Sequence, residues 1–156
     1  MNNNCVKIII KSGSGFFCGS PWEDKLVVTD SLITYDLKIY RDRFQRELQK
    51  KVYWKRFLNE PEKERILKVF DYARDFDFID KGTVLDGEGL ELFIKLADGT
   101  TRKFYATYGD CIDKSYDSLH ELLQMISPLI EDGVYKPDYF NGEEPPYYEI
   151  DEEEEQ

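Results

Sequence analysis

The stretch LELFIKLADGTTRKFYATY, residues 90–108, decides the fold because it contains the clearest hairpin pattern in the chain. Leucine and isoleucine alternate with other residues up to Leu96, and a second strand-like run begins at Thr101. The pair Asp98-Gly99 lies between the two runs and tolerates the positive φ angles of a type I′ turn. The pattern therefore predicts an antiparallel hairpin, which needs no crossover helix.

Three or four further strands are predicted before this hairpin. β-Branched residues predict strands at residues 6–11, 25–29 and 32–40, and residues 52–57, with Tyr53 and Trp54, predict a further strand. The segment between the last two strands leaves a helix and a hairpin loop as alternatives, because its apolar residues also fit helical spacing.

Two helices complete the predicted order βββ(β)αββα. Asn59 and Glu62 have the spacing of a capping box ahead of the first helix. Ser115 or Asp117 caps the second, and Pro128 ends or kinks it. We expect an α+β fold, an antiparallel sheet of about five to six strands with two helices packed on one face.

Charge divides the chain into a body and a tail. The chain has 21 basic and 32 acidic residues, a net charge of −11. Nine of the carboxylates, and no lysine or arginine, lie in residues 137–156, so the body is nearly neutral. We therefore expect one α+β domain over residues 1–136 and an acidic, aromatic C-terminal tail over residues 137–156.

The tail is a candidate partner-binding segment because it combines carboxylates with aromatic rings. Three interpretations stay open: a disordered solubility arm, a segment that binds a basic partner, and a segment that folds back on the same chain. The candidate residues are Asp138, Glu143, Glu144, Tyr147, Tyr148, Glu149, Asp151, Glu152, Glu153, Glu154 and Glu155.

A basic segment at residues 38–56 runs against the overall charge. Its cations alternate with Tyr40, Tyr53 and Trp54, a combination typical of single-stranded nucleic-acid sites. The net negative charge of the chain disfavours direct nucleic-acid binding, so this segment is the exception, unless it is a solvated face balanced by charges elsewhere. Its basic residues are Lys38, Arg41, Arg43, Arg46, Lys50, Lys51, Lys55 and Arg56.

Catalytic patterns are sparse. Cys111 lies nine residues before His120, the only histidine, and this pair is the best candidate for thiol chemistry, followed by Cys18. The cysteines match no zinc spacing, and the aspartates at residues 75–80 lack the oxygen pattern of a calcium loop. We expect no enzymatic activity, no cofactor and no metal.

The start of the chain, MNNNCVKIII, has neither the basic region nor the long apolar run of a signal peptide. No apolar stretch approaches the roughly 18 residues of a membrane span. Three cysteines without a CxxC pair suit reduced thiols. The expected location is the cytoplasm, without a membrane partner.

A resemblance is carried by SGSGFFCGSPWEDKL (residues 12–26), SLITYDLKIY (31–40), the strand around Trp54, DGTTRKFYATYG (98–109) and SYDSLHELLQMI (115–126). Over most of residues 1–131 the chain resembles a family of small uncharacterised α+β proteins of Firmicutes-type bacteria. The resemblance implies a fold and brings no known activity and no catalytic residues.

Three functional hypotheses compete. The first is a non-enzymatic inhibitor that sequesters a basic, nucleic-acid-binding partner; in size and acidity the chain is similar to phage-encoded defence inhibitors, anti-CRISPR-like proteins and toxin immunity proteins. The second is a nucleic-acid-binding module that uses the basic segment, with the tail as an internal competitor. The third is a small cysteine-dependent enzyme.

Overall fold

The structure, a computed structural model, describes residues 3–14, 22–41, 47–76, 88–106, 117–130 and 135–141. Six strands and two helices follow one another there in the order ββββαββα. The strands are β1 (Cys5–Ser14), β2 (Trp22–Val28), β3 (Leu32–Tyr40), β4 (Leu48–Phe57), β5 (Glu88–Leu96) and β6 (Thr101–Ala106). The helices are α1 (Glu60–Arg74) and α2 (Asp117–Ile126), and 3-10 turns follow at Ser127–Leu129 and Asp138–Asn141.

All six strands form one antiparallel sheet in the order β4-β3-β2-β1-β5-β6. The first four strands pair consecutively, β1 with β2, β2 with β3 and β3 with β4, and after α1 the chain returns so that β5 pairs with β1. The strand β1 therefore lies inside the sheet, with a hydrogen-bonded partner on each side. The predicted α+β fold with an antiparallel sheet of five to six strands is confirmed.

The β5–β6 hairpin is confirmed, but its predicted turn is wrong by one position. The Gly99 N–H donates to the Leu96 carbonyl at 3.0 Å, so Ala97 and Asp98 are the central residues of the turn. Gly99 follows them with a φ of 92°, which glycine adopts at no steric cost. The Asp98 carboxylate accepts hydrogen bonds from the N–H and the hydroxyl of Thr100, and these bonds lower its pKa.

The strands β1 and β2 both extend into the Gly/Ser-rich part between them. The strand β1 continues through Ser14, and β2 already begins at Trp22. The Gly/Ser composition of this part predicts an interruption, but Ser12 pairs with Asp24 on one side and with Leu90 on the other. Pairing on both sides overrides the weak local propensity.

The capping box at the start of α1 is confirmed. The Asn59 side chain accepts from the Glu62 N–H, and the Glu62 carboxylate accepts from the Asn59 N–H, both at 3.0 Å. One face of α1 is buried, through Ile66, Val69, Phe70 and Ala73. No helix in the described part of the chain is both long and apolar enough to cross a membrane.

The two helices pack on one face of the sheet, here called the covered face. Strand side chains alternate between the two faces, and every second residue enters a single hydrophobic core together with the helices. The apolar strand residues of the covered face include Ile8, Ile10, Leu26, Val28, Ile33, Tyr35, Leu37, Ile39, Leu90, Leu92, Ile94 and Phe104.

One carboxylate is buried on the covered face. Asp24 is 7% exposed and accepts hydrogen bonds from the Ser12 N–H at 2.9 Å and from the Ser12 hydroxyl. Its other oxygen accepts from the Tyr35 hydroxyl at 2.7 Å. Burial and the neighbouring Asp24 charge raise the pKa of Tyr35 well above its usual range. Three donors thus satisfy a charge that is costly to bury alone.

The start of the predicted tail packs into the core. Tyr139 is 1% exposed and Phe140 is 2% exposed. Just before them, the Tyr135 ring stacks on Tyr35 with centroids 5.8 Å apart, and its carbonyl accepts from the Trp54 indole N–H at 2.8 Å. The described domain thus extends to the second 3-10 turn. The remaining tail lies outside the described residues and stays a prediction.

Candidate binding surface on the open face of the sheet

The other side of the sheet, here called the open face, is rich in lysine. It carries the strand residues that alternate with the buried ones, and most of them are exposed or half-buried. Across the described strands, eight lysines and three carboxylates lie there, a local net charge of +5. They are Lys7, Lys11, Lys25, Lys38, Lys51, Lys55, Lys95 and Lys103, with Glu23, Asp36 and Glu91.

Aromatic rings stand among these lysines. On β4, Tyr53 is 57% exposed and Phe57 is 71% exposed, which is unusual for rings of this size. The ammonium group of Lys55 lies over the Phe57 ring, 4.9 Å from its centroid. The edge strand of the sheet therefore presents two aromatic surfaces with a cation beside them.

A second aromatic centre lies on β5 and β6. The Phe93 ring has an ammonium group on either side, Lys11 at 5.3 Å and Lys103 at 5.1 Å from the centroid. Lys103 also lies 4.8 Å from the Tyr105 centroid and 3.9 Å from the Glu91 carboxylate. The hydrogen bond to Tyr105 is the largest of the influences that raise the pKa of Lys103.

Like charges face one another directly on this surface. Three lysine pairs occupy opposing positions on neighbouring strands, where like charges destabilise a sheet. The pairs are Lys7 with Lys95, Lys11 with Lys25, and Lys38 with Lys51. This arrangement favours binding of an anion, which would relieve the repulsion.

A depression of about 250 Å³ lies over β1, β2 and β3. Asp36 borders it, and Oδ1 of this carboxylate is buried without a hydrogen-bond partner among the described residues. The depression therefore combines several donors with one unused acceptor. Its lining residues are Lys11, Lys25 and Lys38 with Glu23, Asp24 and Asp36.

The predicted basic segment is divided between the two faces. Lys38, Lys51 and Lys55 lie on the open face. Arg56 lies on the other side, where its guanidinium donates to the Leu129 carbonyl and pairs with Glu62. Arg56 thus ties β4 to the helical layer.

Two further basic residues of the segment are described, Lys50 and Arg41. Lys50 is exposed and pairs with the covered-face residue Ile39, and Arg41 donates its backbone N–H to Glu47. The sequence leaves a helix and a hairpin loop open for residues 41–51, and both are wrong for residues 48–51, which belong to β4. Arg43 and Arg46 lie outside the described residues.

The other candidate residues lie mostly outside the described part of the chain. Of the tail residues, only Asp138 is included, in the second 3-10 turn. Cys18 and Cys111 are outside, and His120 is half-buried on α2. Among the described residues no group of three or more ligand-type side chains could hold a metal.

Cys5, which the sequence did not single out, is a poor nucleophile. It is 4% exposed, and burial raises the pKa of its thiol to about 11. A thiol that stays protonated near neutral pH does not attack a substrate. No described cysteine therefore suits thiol catalysis.

Sequence reasoning found one edge of the open face and missed the rest of it. Lys11, Lys25 and Lys103 come from three separate strands and form no cluster along the chain. Their common signal is a lysine at alternate positions between buried residues, which only the strand order brings together. Counting the lysines at the positions of each predicted strand that alternate with the apolar ones would have revealed the patch.

No family description, curated protein or solved structure matches this chain. The resemblance to the family of small bacterial α+β proteins stays a prediction, and the fold and the open face are the basis for function.

Proposed function

We propose that this chain is a non-enzymatic binding protein whose open face binds single-stranded nucleic acid. The observation that carries the proposal is the eight-lysine, net +5 surface with exposed aromatic rings on one side of the sheet. The sequence already suggested a nucleic-acid-binding module that uses residues 38–56. The proposal keeps this function and enlarges the binding surface to residues from all six strands.

The charge of this face supports a phosphate-rich ligand. Lysines that neutralise phosphates release counterions, and this release drives binding in a salt-dependent manner. The net charge of −11 belongs to the chain as a whole and lies largely in residues 137–156. A ligand that approaches the open face meets the local positive charge within a screening length of roughly 10 Å at moderate salt.

The aromatic rings favour a single strand over a duplex. Unpaired bases can stack on exposed rings such as Tyr53 and Phe57, and each stacked base contributes about 1–3 kcal/mol. A duplex hides the faces of its bases and would use only the lysines. The combination of cations and accessible rings thus discriminates between the two forms.

The inhibitor hypothesis stays a second proposal, because its acidic residues lie mostly beyond the described part of the chain. Its decisive comparison needs a tail truncation that preserves the core. Ending the chain at Lys136 would remove the buried Tyr139 and Phe140, so the chain should end after Asn141. A basic partner that the full chain captures from lysate at low salt, and that is lost at high salt and after this truncation, would support the inhibitor hypothesis.

The test of the proposal is fluorescence anisotropy with a labelled single-stranded oligonucleotide. We expect binding that weakens steeply between about 50 and 200 mM salt. The double variant Lys11→Gln, Lys103→Gln should bind at least about tenfold more weakly and lower the salt slope by about two.

A matched control is the double variant Arg65→Gln, Lys68→Gln, which removes the same charge from the exposed side of α1. It should bind like the unmodified chain. Equal losses in the two double variants, or no binding by the unmodified chain at low salt, would rule the proposal out.

A further inference from the structure

The depression on the open face lies in a row of side chains that crosses four strands. From the edge inward the row is Tyr53 on β4, Asp36 on β3, Lys25 on β2 and Lys11 on β1, each directly opposite the next. Neighbouring strands are about 4.8 Å apart. The row therefore presents a ring, an acceptor and two cations in sequence over about 14 Å.

The cation end of this row suits a phosphate group. Lys11 and Lys25 oppose each other directly, and Lys38 borders the same depression. A phosphate between these ammonium groups would replace their mutual repulsion by charge-assisted hydrogen bonds.

The middle of the row has an acceptor to which none of the described residues donates. Oδ1 of Asp36 is buried, and neither of its opposing neighbours, Lys25 and Tyr53, donates to it. A buried acceptor without a partner is unfavourable until a ligand supplies a donor. Phosphates cannot supply one, whereas a sugar hydroxyl can.

The order ring, acceptor, cations matches the order base, sugar, phosphate of a nucleotide. We propose that the depression binds one nucleotide of the strand, with its base on Tyr53, its sugar at Asp36 and its phosphate at Lys11 and Lys25. Asp36 then accepts a hydrogen bond from the 2′-hydroxyl, which RNA has and DNA lacks. The inference rests on the proposed function and adds a preference for RNA over DNA.

The test compares RNA and DNA oligonucleotides of one sequence, with deoxyuridine in the DNA so that only the 2′-hydroxyl differs. We expect the unmodified chain to bind the RNA about tenfold more tightly, the effect of one hydrogen bond to a charged group. Asp36→Ala should reduce this ratio to about one. Asp36→Asn keeps a carbonyl acceptor and should retain most of the ratio.

Both variants remove one negative charge, so both should bind either oligonucleotide somewhat more tightly, and only the ratio reports the hydrogen bond. Equal affinity of the unmodified chain for RNA and DNA would overturn the inference while leaving the proposed function intact. A ratio that survives in Asp36→Ala would also overturn it. Absence of binding to both oligonucleotides would overturn the proposed function as well.

Discussion

The two faces of the sheet belong to the same strands, but each holds a carboxylate in a different hydrogen-bonding environment. On the covered face, Asp24 is buried and accepts hydrogen bonds from three donors of Ser12 and Tyr35. On the open face, Asp36 keeps a buried oxygen without a donor among the described residues. The Asp24 carboxylate is satisfied within the fold, whereas Asp36 has an acceptor that a ligand would complete. This difference separates residues that stabilise the fold from residues available for binding.

The largest expected effect concerns the aromatic residues of the two faces. Phe140→Ala removes a ring that is 2% exposed and should lower the free energy of unfolding by about 3–5 kcal/mol. Phe57→Ala removes a ring that is 71% exposed and should change it by less than about 0.5 kcal/mol. Urea unfolding followed by circular dichroism measures both values. Similar values for the two variants would show that the Phe140 ring does not belong to the core.

A smaller effect is expected for the carboxylates. Asp24→Ala leaves the Ser12 N–H and the Tyr35 hydroxyl buried without their acceptor, at a cost of about 1–3 kcal/mol. Glu91→Ala removes only a partly exposed ion pair with Lys103 and should cost at most about 1 kcal/mol. The same urea experiment ranks the two, and a reversed order would contradict the assignment of Asp24 to the interior.

The smallest effect is a pH dependence from Cys5. Burial raises the pKa of its thiol from 9.0 to about 11, so the folded state favours the protonated thiol. Its contribution is complete below about pH 9 and is lost as the pH rises through 11. The urea midpoint of the unmodified chain should therefore fall more between about pH 8 and pH 10.5 than that of Cys5→Ala. Parallel falls in the two proteins would show that this thiol does not couple to folding.

The fold could be predicted from the sequence wherever the local residue pattern agreed with the strand pairing and packing of the folded chain. The alternation of Leu90, Leu92 and Ile94 and the capping box at Asn59 both predicted their elements. The extension of β1 into Ser12 did not follow, because two partner strands stabilise a segment whose own composition disfavours a strand.

Only part of the candidate binding surface could be predicted from the sequence, because strand pairing brings residues onto one face that are far apart along the chain. A cluster such as Lys50 and Lys51 is visible along the chain, but Lys11, Lys25 and Lys103 come to lie on one face only through the strand order. Conversely, Arg56 belongs to the basic segment by sequence and to the helical layer by contact. Local charge density therefore indicated one edge of the surface and not the rest of it.

Lysine footprinting tests the central claim, that the open face is the binding surface, most directly. The full chain is acetylated with and without a single-stranded oligonucleotide, and mass spectrometry measures the modification of each lysine. All four lysines to be compared, Lys11, Lys25 and Lys103 on the open face and Lys68 on α1, are exposed. We expect the oligonucleotide to protect the first three and to leave Lys68 unchanged. Equal protection of all four lysines, or protection of Lys68 alone, would contradict the claim.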